Sequence, residues 1–299
     1  MRVYLKPFLL LPFFFFPLLC EVPFAHPEEK GILLTEAIQL KIADVFMEER
    51  EYYRAITEYK KFLILFPDSE KADYALFKTG MAYYRGEEYE AAVQSFSVLR
   101  GRYQASPYLP EASYFEGLSY WKTKDREKAR ATFDTLSEVF PRSEFAPLAL
   151  VASSLLALEA EDITGSRNRL ERLTDRYPDD LGSKNAKEAI PLVDQYPGLP
   201  QKSRTLAAAM SAIVPGSGYI YADHVGDGIT AFIINGLFIA GTIVAISGEN
   251  YAVAAIVGGV GLPFYVGNIY GSANAAKKWN LGVKRELRNK VFLTLDFNF

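Results

Sequence analysis

Phe66-Pro67-Asp68-Ser69 returns as Tyr103-Gln104-Ala105-Ser106, Phe140-Pro141-Arg142-Ser143 and Tyr177-Pro178-Asp179-Asp180, each 37 residues after the last. Other columns keep the same step. Ala43, Gly80, Gly117 and Ser154 form a small-residue column, and three positions on stand Phe46, Tyr83, Tyr120 and Ala157. A second small column holds Ala55, Ala92, Ala129 and Ser166, followed four residues later by Tyr59, Phe96, Phe133 and Leu170. A fixed period of this length is the mark of stacked repeats, each a unit that buries its apolar face only against its neighbours. The spacing predicts two helices per repeat, A and B. The small columns let A and B approach closely, and a proline after an aromatic stops helix B because it lacks the amide and clashes with the preceding turn.

These columns resemble the tetratricopeptide repeat, with its small-x-x-aromatic, Ala-x-x-x-Phe and terminal Pro, in a version three residues longer than the usual period of about 34. Extended repeats with Phe-Pro-x-Ser at the helix end are similar to those of bacterial periplasmic tetratricopeptide proteins of the outer-membrane-assembly and Tol–Pal-associated kind. The resemblance covers about half the chain and implies an all-α superhelical scaffold. A scaffold does not by itself specify an activity. The resemblance further implies that positions 2, 5, 9 and 12 of each helix A face a concave groove. In the second repeat these are Tyr74, Phe77, Met81 and Tyr84, with Arg85 beside them. In the third they are Glu111, Tyr114, Leu118 and Trp121, with Lys122 beside them. An aromatic stripe with a basic edge suits the binding of an apolar protein or peptide segment. The other reading is that these aromatics pack on one another or on the C-terminal part of the chain, the commoner fate of such a stripe.

The charge pattern divides the chain. Between Thr205 and Ala276 only Asp223, Asp227 and Glu249 are charged. Residues 228–248 and 250–276 are uncharged runs, each long enough to span a hydrocarbon core that needs about 20 helical residues. Ser247-Gly248-Glu249-Asn250 joins them, so a transmembrane hairpin is expected. Asn235 and Asn268 are expected to bond across it. The stretch 205–222 is broken at Pro215-Gly216-Ser217-Gly218 and reads as an interfacial or re-entrant helix with Tyr219 and Tyr221 at headgroup level. Pro215-Gly-x-Gly-x-x-Tyr221, Gly226-x-Gly228 and Gly267-Asn-Ile-Tyr-Gly-Ser-Ala-Asn274 are similar to an uncharacterised bacterial membrane module found behind tetratricopeptide domains.

At the N-terminus, Arg2 and Lys6 precede the apolar run Pro7 to Cys20, the form of an export signal. Leu19 departs from the small residue expected before a lipidated cysteine, so ordinary cleavage near Cys20 or Ala25 is expected. The resulting plan is a signal peptide over 1–25, four repeats and a trailing helix over 28–200, and a membrane module over 201–276. A basic tail over 277–299 completes it, its last nine residues alternating like a terminal strand. A cleaved signal puts repeats and tail outside the cytoplasm, whereas Lys277, Lys278, Lys284, Arg285, Arg288 and Lys290 pull the tail inward by the positive-inside rule.

One cysteine and two histidines leave no disulfide framework and no Cys-based metal site, and a pI near 5.7 speaks against nucleic acid. Ser217, Asp223 and His224 lack a nucleophile-elbow setting, and the glycine pairs have no P-loop lysine. Asp223 and Asp227 read as solvated loop acids sooner than as a cation site. The reading is therefore a non-enzymatic, membrane-anchored scaffold of the cell envelope, on an inner membrane sooner than an outer one, with no cofactor and with a protein partner and the lipid bilayer as its contacts. The alternative is a small transport or insertion factor whose active part is the hairpin, with the repeats as a docking arm.

Overall fold

The computed structural model describes residues 33–297; the export-signal and Cys20 readings lie outside them. From Glu36 the chain is one unit, and among the described residues it is helical with no strand. Four antiparallel helix pairs follow the 37-residue period. They are α1 (Glu36–Glu48) with α2 (Tyr52–Leu65), α3 (Ala72–Arg85) with α4 (Tyr89–Arg102), α5 (Leu109–Lys122) with α6 (Arg126–Val139), and α7 (Phe145–Glu159) with α8 (Ile163–Arg176). A trailing helix, α9 (Leu181–Asp194), covers the last pair and ends in a short 3-10 turn at Tyr196–Gly198.

The repeat columns find physical roles. Ala43, Ala55, Ala92 and Ala129 are fully buried, as are Tyr59, Phe133 and Leu170. A Cβ on Gly80 would stand 2.5 Å from the Phe96 ring, and one on Gly117 would stand 2.6 Å from the Phe133 ring. The ring of helix B therefore fills the volume that the glycine of helix A leaves free. Each helix B ends on the aromatic of its tetrad. The Phe66, Tyr103, Phe140 and Tyr177 amides still donate to the carbonyl four residues back, and the chain then leaves the helix.

The A-to-B turns carry a feature the columns did not announce. Arg50, Glu87, Lys124 and Glu161, again 37 residues apart, have φ of 59–66°. The next amide in each case donates back to the carbonyl of Phe46, Tyr83, Tyr120 or Ala157, as in Glu51 N–H to Phe46 O at 2.8 Å and Glu88 N–H to Tyr83 O at 2.9 Å. This is a Schellman closure made without glycine. Phe46, Tyr83 and Tyr120 are half-buried, and each carries a cation over its ring: Arg54 at 4.0 Å, Lys60 at 5.2 Å and Lys128 at 5.5 Å.

Beyond Pro200 come α10 (Arg204–Ile213), α11 (Ser217–Tyr221), α12 (Val225–Ser247) and α13 (Tyr251–Thr294). Two helices, α12 and α13, are long and apolar enough to cross a membrane, and only 6% and 17% of their most apolar windows are covered by protein. They pair antiparallel through Gly248-Glu249-Asn250, with Asn250 Oδ1 capping α13 at the Val253 amide. The basic tail is not a separate element. Helix α13 runs on for 44 residues, roughly 66 Å at 1.5 Å per residue, about twice the thickness of a hydrocarbon core.

The expected terminal strand is absent from the described residues, since Val291–Thr294 is the last turn of α13. Apolar residues at 291, 293, 295 and 297 suggested alternation, but Leu287, Val291 and Leu295 share one helical face and are 6%, 1% and 4% exposed against the repeats. Burial of that face decided the conformation.

Candidate functional site

Helices α3, α5, α7 and α9 supply the side of the superhelix on which the nine expected partner-binding residues sit. Phe77, Met81, Tyr114, Leu118 and Trp121 are only 3–8% exposed. Tyr74 and Tyr84 are half-buried, and Arg85 and Lys122 are exposed. The stripe is thus covered in two different ways. Toward the N-terminus, neighbouring repeats cover it: Tyr108 of the next repeat stacks on Phe77 at 5.0 Å and 10°, and Phe115 meets Tyr84 edge-on at 4.9 Å. Toward the C-terminus, the chain covers it with its own tail. Trp121 stacks on Phe297 at 5.6 Å and lies 6.3 Å from Phe292, while Leu287, Val291 and Leu295 join the core of α7, α9 and Tyr196. Lys284 Nζ pairs with Glu161 at 2.6 Å, fixing α13 to the turn after α7.

What stays open is a polar, half-buried patch on α1, α3 and α5. Asp44 accepts hydroxyl hydrogen bonds from both Tyr59 and Tyr74, the latter at 2.8 Å. Burial first, and the Asp44 carboxylate second, push both phenols up. Lys78 lies 5.4 Å from the Tyr74 ring centre. Glu111 has its carboxyl pushed up by burial, with Lys78 and Arg85 opposing and Glu144 reinforcing. Position-counting along helix A found Tyr74, Tyr84, Arg85 and Glu111 but not Asp44 or Lys78. Their signal is charge opposite tyrosine across adjacent repeats, which a single-helix count does not see.

The membrane module has a second site-like construction at its helix break. Gly216 takes φ of +86°, a conformation open to glycine, and reverses the chain between α10 and α11. In hydrocarbon the backbone groups freed there need partners; the Ser217 amide and the Gly216 carbonyl find them in the backbone of the turn, and side chains supply the rest that follow. The Gly216 amide donates to Asn268 Oδ1 at 2.9 Å, and Asn268 Nδ2 donates to Ser211 O at 3.0 Å. The Gly218 amide donates to Ser211 Oγ at 3.1 Å, and Ser272 Oγ donates to Ala207 O at 3.1 Å. Tyr265 OH donates to Ala212 O. At the upper end Asn280 brackets Lys202, accepting from its amide at 2.8 Å and donating to its carbonyl at 3.0 Å. Helix α10 therefore descends antiparallel to α13, turns at Pro215-Gly216, and returns to Tyr221, whose hydroxyl accepts from the Ser203 amide at 3.0 Å.

The expected bonds between Asn235 and Asn268 across the hairpin do not form. Asn268 serves the helix break, and Asn235 Nδ2 turns back to Ala231 O of its own helix at 2.8 Å. The Asn235 Oδ1 is buried without a partner. Ser217, Asp223 and His224 are likewise engaged separately. The Ser217 hydroxyl donates to Val214 O, Asp223 pairs with Lys202, and His224 Nδ1 lies 3.2 Å from Asp227.

Residues 40–110 and 112–143 each match a family model described as tetratricopeptide repeat. Among solved structures, the chain is similar to the crystal structure of a tetratricopeptide repeat protein from Parabacteroides merdae ATCC 43184. The identity is 12% and the TM-score 0.46, over 88% of this chain and 99% of that one. No curated protein matches the chain. The matches show tetratricopeptide repeats over residues 40–143; the fourth helix pair lies beyond them, and the module from 201 onward has no family attached to it.

Proposed function

We propose that the protein is a non-enzymatic, membrane-anchored tetratricopeptide scaffold of a bacterial cell envelope, holding a protein or peptide partner through its repeats. The observation that carries the anchoring is the helix break at Pro215-Gly216. Its freed backbone groups are satisfied by Asn268, Ser211 and Tyr265, while Leu206, Ile213 and Ile220 around it point outward, 47%, 82% and 48% exposed. Inside-satisfied backbone with an apolar exterior is what a bilayer demands and water does not.

Within this reading the partner surface is the open patch around Tyr74, Lys78, Tyr84, Arg85 and Glu111, with Lys122 at its C-terminal edge. Phe77, Met81, Tyr114 and Leu118 support it from beneath, and Trp121 is committed to the chain's own tail. The repeats belong on the exported side because Arg2, Lys6 and the run to Cys20 read as a signal. Because α13 is continuous, the basic tail goes with them. Two helical spans suit an inner membrane, since outer-membrane spans are barrels.

Photocrosslinking in cells from positions 84 and 121 tests the reading. Position 84 is expected to capture a separate protein, and position 121 is expected to link within the chain to the 292–297 segment. Intermolecular capture from 121 with none from 84 would place the partner surface wrongly.

A further inference from the structure

Helices α11, α12 and α13 line an open cavity of about 600 Å³. Its walls change character with depth. Asp227, His224, Asn274 and Lys278 stand at one end, while Ile234 and Phe264 line the other beside Asn235 and Asn268. Asp227 to Ile234 is seven residues of helix, roughly 10 Å of descent, and Lys278 to Phe264 is fourteen, roughly 21 Å. The polar end lies where Lys202, Asp223 and Asn280 mark the top of the module, and the apolar end lies beside the helix break. The cavity has the length of an acyl chain and opens at headgroup depth.

The charges at its mouth are of opposite sign on opposite walls. Lys278, on α13, makes no ion pair with an acid among the described residues, and Arg285 and Arg288 stand further out beside Lys284, which is paired with Glu161. Asp227, on α12, has His224 at 3.2 Å and Tyr219 nearby, and no lysine or arginine paired with it among the described residues. A ligand that reaches both walls carries an anion and a cation on one apolar chain, the cation seated deeper than the anion. We propose that this cavity binds one zwitterionic aminophospholipid of the phosphoethanolamine type, its phosphate on Lys278, its ammonium on Asp227 and an acyl chain along Ile234 and Phe264. A primary ammonium donates hydrogen bonds to the Asp227 carboxylate, whereas a trimethylated one cannot. The site is distinct from the partner surface on the repeats. It rests on the bilayer reading of the module.

The test is native mass spectrometry of the full-length protein in detergent, titrated with chain-matched phosphatidylethanolamine, phosphatidylcholine and phosphatidylglycerol. The ethanolamine lipid is expected to add as a single molecule about tenfold more tightly than the choline lipid, the size of one charge-assisted hydrogen bond. Asp227→Asn is expected to erase that difference, and Lys278→Gln to weaken both lipids. Equal retention of the two lipids, or a preference that survives Asp227→Asn, overturns the proposal. Tightest binding by phosphatidylglycerol overturns it also, in favour of plain attraction to the basic wall. Displacement by water-soluble glycerophosphoethanolamine at equal concentration would remove the acyl chain from the claim. Fractionation of the same protein distinguishes the levels: a chain that leaves membranes without detergent fails the bilayer reading, whatever the lipid data show.

Discussion

The Trp121 and Phe297 rings lie stacked, 5.6 Å between centroids and 27° from parallel, joining the third repeat to the segment that follows α13. The contact makes the repeats and the anchor one mechanical piece. Helix α13 emerges from the hairpin, passes Tyr196, and seats Leu287, Val291 and Leu295 in the core of α7 and α9.

Removing the seat should loosen the repeats. In a Trp279→Phe background, truncation after Glu286 is expected to red-shift Trp121 emission as the indole meets water. Leu295→Ala in the intact chain should cost about 2–4 kcal/mol, the range for a buried leucine, read by denaturant unfolding. Unshifted emission on truncation would mean that the tail does not cover Trp121.

The glycine columns give a sharper test than their burial alone. Gly80→Ala places a methyl against the Phe96 ring and should destabilise by roughly 1–3 kcal/mol through overpacking. Combining it with Phe96→Leu should recover part of the loss, because the two sites share one volume. Strict additivity in that cycle would separate them.

How much of this was readable beforehand follows the range of the interactions. The 37-residue period, both small columns and the aromatic columns beside them were legible because each repeat states them again within itself, whereas the seating of the Phe96 and Phe133 rings over Gly80 and Gly117 needed the structure. The hairpin and the break at Pro215 were legible from charge and from proline and glycine. The partners of Asn268 were not, since Gly216 is 52 residues away and no periodicity links them. The tail was misread because Val291 to Phe299 alternates as a strand would, while the face Leu287, Val291, Leu295 acquires meaning only once α9 offers a surface for it.

Asn268 should be indispensable to the re-entrant turn. Asn268→Leu leaves the Gly216 amide and Ser211 carbonyl unpaired in an apolar setting, at about 1–3 kcal/mol per orphaned group. Limited proteolysis in detergent should then cut near Pro215-Gly216, where the native chain resists. Undiminished resistance would deny that Asn268 holds the break.

Glu111 predicts a pH dependence with a definite sign. Burial raises its carboxyl above the ordinary glutamate value, so the folded state disfavours the charged form. The stabilising contribution is full below the unfolded pKa and is lost as pH rises through the folded one. Glu111→Gln should therefore be more stable than wild type at pH 8 and no different at pH 4, measured by thermal unfolding in detergent. A constant offset at both values would assign the effect to packing.

The account's central claim is that a two-span hairpin anchors the repeats with the tail on their own side of the membrane. Single cysteines at 102, 249 and 290, in protein with Cys20 replaced, test it through labelling of intact spheroplasts by a membrane-impermeant maleimide. Positions 102 and 290 are expected to label together, and 249, in the turn between α12 and α13, only after lysis. Labelling of 249 together with 290, or of 102 without 290, would contradict the hairpin and the docking of the tail at once.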